Sequence, residues 1–213
     1  MKHYLFLGLL SLTIFASACK QKTTVDVKTD ETPDASATSS TDGTYVIDAN
    51  ASTVKWKGEK PTGVHYGSVP VSSGNVMIAN GNITGGTVEL NMSGLTVTDP
   101  QGDMGANLQA HLRGETAGKE GDFFNVSKYP KATYVINSSE VLNNDPDGSH
   151  LLKGTLTVKE ISKPVNFKAK VNIDNGKLTA ATPEFPVDRT EFDIQFKSKK
   201  FFTNLKDDFI NDE

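Results

Sequence analysis

The sequence predicts an all-β domain of antiparallel strands, and three observations carry that expectation. Apolar and polar residues alternate with period two through much of residues 44–213. Each such segment has one apolar and one charged face, as a strand does when solvent covers one side only; parallel strands buried on both faces read as unbroken apolar runs. Turn formers fall between the segments: Asn80-Gly81-Asn82, Asn143 to Gly148 with Pro146, and Asp174-Asn175-Gly176. About eight strands of this kind must close into a barrel or stack as a sandwich.

The elements follow in chain order. Strands are expected near 45–49 and 53–59, the latter with Val54 and Trp56 on one face and Lys55 and Lys57 on the other. In "PTGVHYGSV", residues 61–69, Gly63 and Gly67 bracket His65 and Tyr66, which reads either as a hairpin with a solvated histidine or as a barrel mouth where a neutral His65 could hydrogen-bond a ligand head group. Further strands are expected at 74–80 and at 83–97, where Val88, Leu90 and Met92 alternate with Glu89 and Asn91. Residues 103–114 form the one helical candidate: Asp103 is an N-cap, Gly114 a stop, and Met104, Leu108 and Leu112 share a face. Strands resume at 131–142, 150–159 and 164–174. In the last of these Val165, Phe167, Ala169, Val171 and Ile173 oppose Asn166, Lys168, Lys170 and Asn172. Residues 177–187 read as extended, and 190–197 as a final strand with Phe192, Ile194 and Phe196 on one face.

The N-terminus has a different character. Residues 1–18 read as a secretory signal: Lys2 and His3, an apolar run from Tyr4 to Phe15, then the small residues Ala16-Ser17-Ala18. Cys19, the only cysteine, follows at once. It reads as the lipid-attachment site of a bacterial lipoprotein, although Ala16 stands where such signals usually carry Leu. A spare thiol beyond an ordinary cleavage site is the alternative. Residues 19–43 then form a tether of Thr, Ser, Asp and Lys, without an aromatic residue, that cannot offset its own ordering entropy. Such a coil spans roughly 25–30 Å.

The formal charge is −4. Lysines spread singly along the strands argue against nucleic acid and against attraction to an anionic membrane surface, leaving a lipid anchor as the membrane link. His65, His111 and His150 are far apart, and no metal-ligand spacing, nucleophile elbow or phosphate loop is present. No catalytic residue, metal or cofactor is assigned. The most unusual stretch is "HLRGETAGKEGDFFNVSKYP", residues 111–130. On an extended backbone Phe123 and Phe124 diverge and one alone enters the core; on a turn both could plug one end of a barrel. They could also simply seal an apolar floor.

Taken together, "YVIDANASTVKW" (45–56), "TGVHYGSV" (62–69), "HLRGETAGKEGDFFNVSKYPKATY" (111–134), "LKGTLTVKEISKPVNF" (152–167) and "DRTEFDIQF" (188–196) resemble the YceI-like family. The resemblance implies a lipocalin-like barrel of about eight antiparallel strands, with a helical insertion at one opening and an elongated apolar cavity. The implied ligand is a long isoprenoid lipid, such as a prenyl quinone or precursor, stored or transported in the cell envelope on the periplasmic side or at the outer membrane. On that reading Trp56, Leu90, Phe167, Phe192 and Ile194 line the cavity. Leu108, Leu112, Phe123 and Phe124 form its lid, and His65, Tyr66 and Arg189 meet the head group. The alternative is a non-catalytic surface module whose barrel is filled by its own side chains. Two departures stand out. Glu160 occupies a turn where similar proteins usually have Gly, and the chain stops at Glu213 where they continue into an apolar closing strand, so either the sequence is a fragment or the sheet is left with an unpaired edge.

Overall fold

Each alternating segment pairs with strands next or next but one to it in the chain, and the resulting sheet curls on itself. The computed structural model describes residues 41–213; the expected signal, Cys19 and the tether through residue 40 lie outside the described residues. The strands are β1 (Gly43–Val46), β2 (Thr53–Lys60), β3 (Gly63–Ala79), β4 (Asn82–Asn91), β5 (Thr96–Asp99), β6 (Lys131–Val141), β7 (His150–Val158), β8 (Ile161–Asp174) and β9 (Lys177–Ala181). One α-helix, α1 (Gly102–Arg113), interrupts them, and every strand pairing is antiparallel.

β3 is the spine. Its first half pairs with β2 and β5, its second half with β1 and β4. Hence β1 and β2 are two halves of one strand broken by a 3₁₀ turn at Ala49–Ala51, where the Asp48 carboxylate accepts from Asn50 N (3.0 Å) and Ala51 N (3.3 Å). β4 and β5 are likewise split at Met92–Gly94. A straight strand would have run on from 83 to 97; the turn instead lets Met92 and Leu95 both bury, at 5% and 1% exposure. The Asn80-Gly81 and Asn175-Gly176 hairpins have positive φ at both central residues, the geometry that matches strand twist.

β1 and β9 are the ends of the sheet, and each has one strand partner among the described residues. Tyr45 from β1 and Leu178 from β9 nevertheless pack on the same buried cluster of Ile78, Ile83, Tyr134, Ile136 and Leu152. The sheet therefore rolls into a nearly closed antiparallel barrel. One end carries the β2–β3 turn, α1 and residues 182–213; the other carries the β3–β4 and β8–β9 hairpins.

Three expectations are corrected. Residues 63–69 are not a hairpin but the first half of β3, and the turn is confined to Pro61 and Thr62, between the paired Lys60 and Gly63. Gly67 is required by packing: a Cβ there would overlap the Trp56 ring and the Thr96 carbonyl. Residues 190–197 are not a strand; Arg189–Phe192 is a 3₁₀ turn, followed by left-handed Asp193 (φ 57°) and Lys197 (φ 52°). Of 177–187, only Lys177–Ala181 joins the sheet. At the other boundary, Asp42 already belongs to the domain, because its carboxylate accepts from Asn80 N (2.9 Å) and Gly81 N (3.0 Å).

Candidate functional site

The stretch 111–130 plugs the helix end. α1 stops at left-handed Gly114, and the chain folds back so that Phe124 N and Val126 N donate to Leu112 O (3.1 Å) and Arg113 O (2.9 Å). This aims Phe123 inward, to 6% exposure, where it packs with Leu112, Met92, Leu95, Val126 and Ile194. Phe124, Leu108, Trp56 and Leu90 lie partly buried around that cluster. His111 Nε2 donates to the Asp122 carboxylate at 2.7 Å, and the ring meets Phe123 and Phe196 edge-on, each at 5.0 Å. The lid expected from the sequence is a packed plug.

The other half of the barrel is more open. Inner-facing Ile78, Ile83, Tyr134, Ile136 and Leu152 are buried, but on β8 the inner residues Val165, Phe167, Val171 and Ile173 are only half-buried, as is Leu178 on β9. Water therefore reaches the apolar wall beside the seam between β1 and β9. An aromatic row runs along it: Tyr134 and Phe167 lie 4.9 Å apart, and Phe185 stacks on Phe167 at 4.4 Å and 11°. Two cavities lie elsewhere. One of about 350 Å³ is bounded by Asn107, Leu108, His111, Thr116 and Lys119, and one of about 260 Å³ by Lys170, Asn172, Thr179, Ala180 and Ala181. Neither is the elongated apolar cavity implied by the resemblance; the inner face of β8 instead carries a half-buried apolar row.

The structure divides the residues expected to bind. Trp56, Leu90, Leu108, Leu112, Phe123, Phe124 and Ile194 gather at the plug; Phe167 alone lies on the open wall. Phe192 is buried in its 3₁₀ turn, at 2% exposure. Tyr66 is 44% exposed on β3. His65, opposite Gly58 at the plugged end, keeps Nδ1 buried without a hydrogen-bond partner.

Arg189 is corrected outright as a head-group contact. Nε donates to Asn211 O (3.1 Å), Nη1 to Ile194 O (2.9 Å) and Phe196 O (3.0 Å), and Nη2 to Ile210 O (3.1 Å) and Asp212 Oδ1 (3.2 Å). A guanidinium has five N–H groups, so none remains for a ligand. Burial lowers its pKa, opposed by Asp212 and Asp188. Its task is to clamp residues 189–212 over the plug.

His150 was missed. It opens β7, pairs with Ala169 and shares the inward alternation of Leu152. Its Nδ1 lies 2.9 Å from Ser149 Oγ, and burial holds its pKa below 6.5. The signal was in the sequence: position 150 is two residues before Leu152.

A rolled antiparallel sheet with one plugged end and a solvent-reaching apolar wall has the form of a lipocalin-like binding barrel. The YceI-like domain family matches residues 45–213, and the chain belongs to that family, one of non-enzymatic lipid-binding proteins. A solved structure, BcnA of Burkholderia cenocepacia, has the same fold, with a TM-score of 0.56 and 19% identity over 78% of this chain and 92% of that one. No curated protein matches the sequence.

Proposed function

We propose that the protein stores or carries a long isoprenoid lipid, such as a prenyl quinone or precursor, in the cell envelope, and does no chemistry on it. The observation that carries this reading is the half-buried row Val165, Phe167, Val171 and Ile173 with Phe185 stacked upon it. An apolar wall left open to water gains about 25 cal/mol per Å² when a tail covers it. A prenyl lipid leaving a bilayer gains little net from that term, because its tail was already out of water. Selection must then come from the shape of the wall and from the head group.

His150 is the polar group at the open wall. Ser149 Oγ accepts from Val171 N at 2.9 Å, so its own proton can go to His150 Nδ1. That leaves Nε2–H as a neutral donor for a quinone carbonyl or a lipid hydroxyl. His65 Nδ1, at the plugged end, is the second candidate. Cys19 would carry the acyl anchor that keeps the domain at the periplasmic face or the outer membrane.

The test is organic extraction of the purified protein followed by mass spectrometry. A stoichiometric prenyl lipid is expected, reduced in Phe167→Ser and His150→Ala. An empty extract from a folded protein would select the alternative of a self-filled barrel, which the dense packing of the plug favours.

A further inference from the structure

Phe201 and Phe202 are adjacent and 50% and 47% exposed, and neither belongs to either core cluster. They are not on a slack loop. Ser198, with 0% exposure, anchors the turn: its carbonyl accepts from Phe201 N (3.1 Å) and Phe202 N (2.9 Å), and its hydroxyl accepts from Lys200 N (3.1 Å). Ile210 N donates to Lys197 O at 3.0 Å, tying the turn to the segment that Arg189 clamps. The backbone thus holds two rings in water and offers no means for them to fold away.

The charges flanking the pair in sequence are basic, and Asp207 and Asp208 follow them. Residues 197–206, "KSKKFFTNLK", contain Lys197, Lys199, Lys200 and Lys206 and no acid, in a chain of net charge −4. Lys197 and Lys200 pair with Asp208 and Asp188, each at 2.5 Å. Lys199 stands 3.4 Å over the Phe209 ring. Neither Lys199 nor Lys206 pairs with a carboxylate among the described residues. The dispersed lysines of the strands do not extend to this turn.

From this juxtaposition we infer that the Ser198–Phe202 turn is a peripheral docking site for an anionic bilayer surface. Phe201 and Phe202 enter the headgroup–acyl boundary while Lys199 and Lys206 meet lipid phosphates. Aromatic rings prefer that depth, and each basic side chain beside it adds attraction to anionic lipid. Among the described residues no helix is long and apolar enough to cross a membrane, so a surface contact of this kind is what residues 41–213 can supply without a span of that type. The inference rests on the lipid-carrier reading for its purpose, since the ligand resides in a bilayer. The segment bearing the Phe pair also supplies Ile194, Phe196 and Ile210 to the plug, so docking sets the plugged end against the membrane.

The test uses the full mature chain with Cys19→Ser, which removes acyl anchoring, and vesicles of phosphatidylethanolamine containing about one quarter phosphatidylglycerol. Sedimentation with the vesicles is expected, falling about tenfold or more in the double variant Phe201→Ser/Phe202→Ser. Lys199→Gln/Lys206→Gln should weaken binding and flatten its dependence on salt. A Phe202→Trp variant keeps the aromatic bulk and reports insertion by a blue-shifted emission that brominated lipid quenches. Unchanged sedimentation of the double Phe variant, no vesicle binding by the parent, or loss of a dimer in its place would overturn docking. Extraction scores the carrier reading separately. A protein that holds a prenyl lipid yet ignores vesicles overturns docking alone; one that binds vesicles but yields an empty extract overturns only the carrier reading.

Discussion

The Tyr134 hydroxyl donates to the Val165 carbonyl at 2.9 Å, reaching from β6 to β8 across the strand between them. Gly154 on β7 makes this possible, because a Cβ there would run into the Tyr134 ring and hydroxyl and the Val135 carbonyl. Three strands are thereby held by one side chain. Gly154→Ala should cost about 1–3 kcal/mol through overpacking, and Tyr134→Phe about 1 kcal/mol for the hydrogen bond. Urea unfolding of both variants measures this. Burial also pushes the Tyr134 pKa up from 10.0 to about 12, so its neutral form is favoured in the folded state. That contribution is intact below pH 10 and should be lost as pH rises toward 12, a dependence absent from Tyr134→Phe.

Arg189→Lys replaces a planar fork by a point charge that cannot reach five acceptors at once. A loss of about 2–4 kcal/mol is expected. Hydrogen exchange at the Ile210 and Asn211 amides should quicken more than exchange within β6 and β7. Uniform quickening would mean that the clamp stabilises the whole barrel and not its cap.

The two-residue turn between β7 and β8 places Lys159 (φ 50°) and Glu160 (φ 64°) in the left-handed region. Side chains pay for that conformation, and glycine does not. Glu160→Gly should raise stability by about 0.5–1 kcal/mol, seen as a higher urea midpoint. Lys159 is the wrong residue to change, because its ammonium donates to the Asp193 carbonyl at 2.6 Å from a buried position.

Burial keeps the folded-state pKa of His150 below 6.5, so the unfolded chain takes up the proton first as pH falls. Its contribution is complete above pH 6.5 and is lost progressively below it. Unfolding measured through that range should show stability declining with acid, with a shallower decline in His150→Asn.

Phe167 and Phe123 should respond oppositely to truncation. Phe123 is buried at 6% exposure in the plug, and Phe123→Ala should cost about 3–5 kcal/mol. Phe167 is half-buried on the open wall, so Phe167→Ser should cost less stability and more bound lipid. Paired unfolding and extraction measurements separate the two effects.

The barrel was legible where a strand has one wet face. In β8 the alternation of Val165 through Ile173 holds to the last residue, and the helix ends where Gly114 stops it. The first half of β3 was hidden because Gly63 and Gly67 look like turn residues, whereas Gly67 makes room for Trp56, and the partner that demands it is on another strand. Phe192 and Ile194 do bury, as period two suggests, but a 3₁₀ turn and a left-handed residue place them, with the carbonyls of Ile194 and Phe196 taken by Arg189. Of the residues that the family resemblance singled out, Trp56, Leu90, Leu108, Leu112, Phe123, Phe124 and Ile194 pack together at the plugged end. The resemblance drew attention to His65 and away from His150, whose inward face follows from the same alternation.

Asn211 N donates to Glu59 O at 2.8 Å, and the side chains of the same two residues meet across 152 positions of chain. Every hairpin of the meander, by contrast, can form from neighbours a few residues apart. Closing so long a loop is slow, because its entropy must be lost before the contact repays it. The hairpins should therefore assemble first and the clasp at Glu59 last. The cap formed by residues 189–212 can then come away locally, by release of that clasp, without unravelling the sheet.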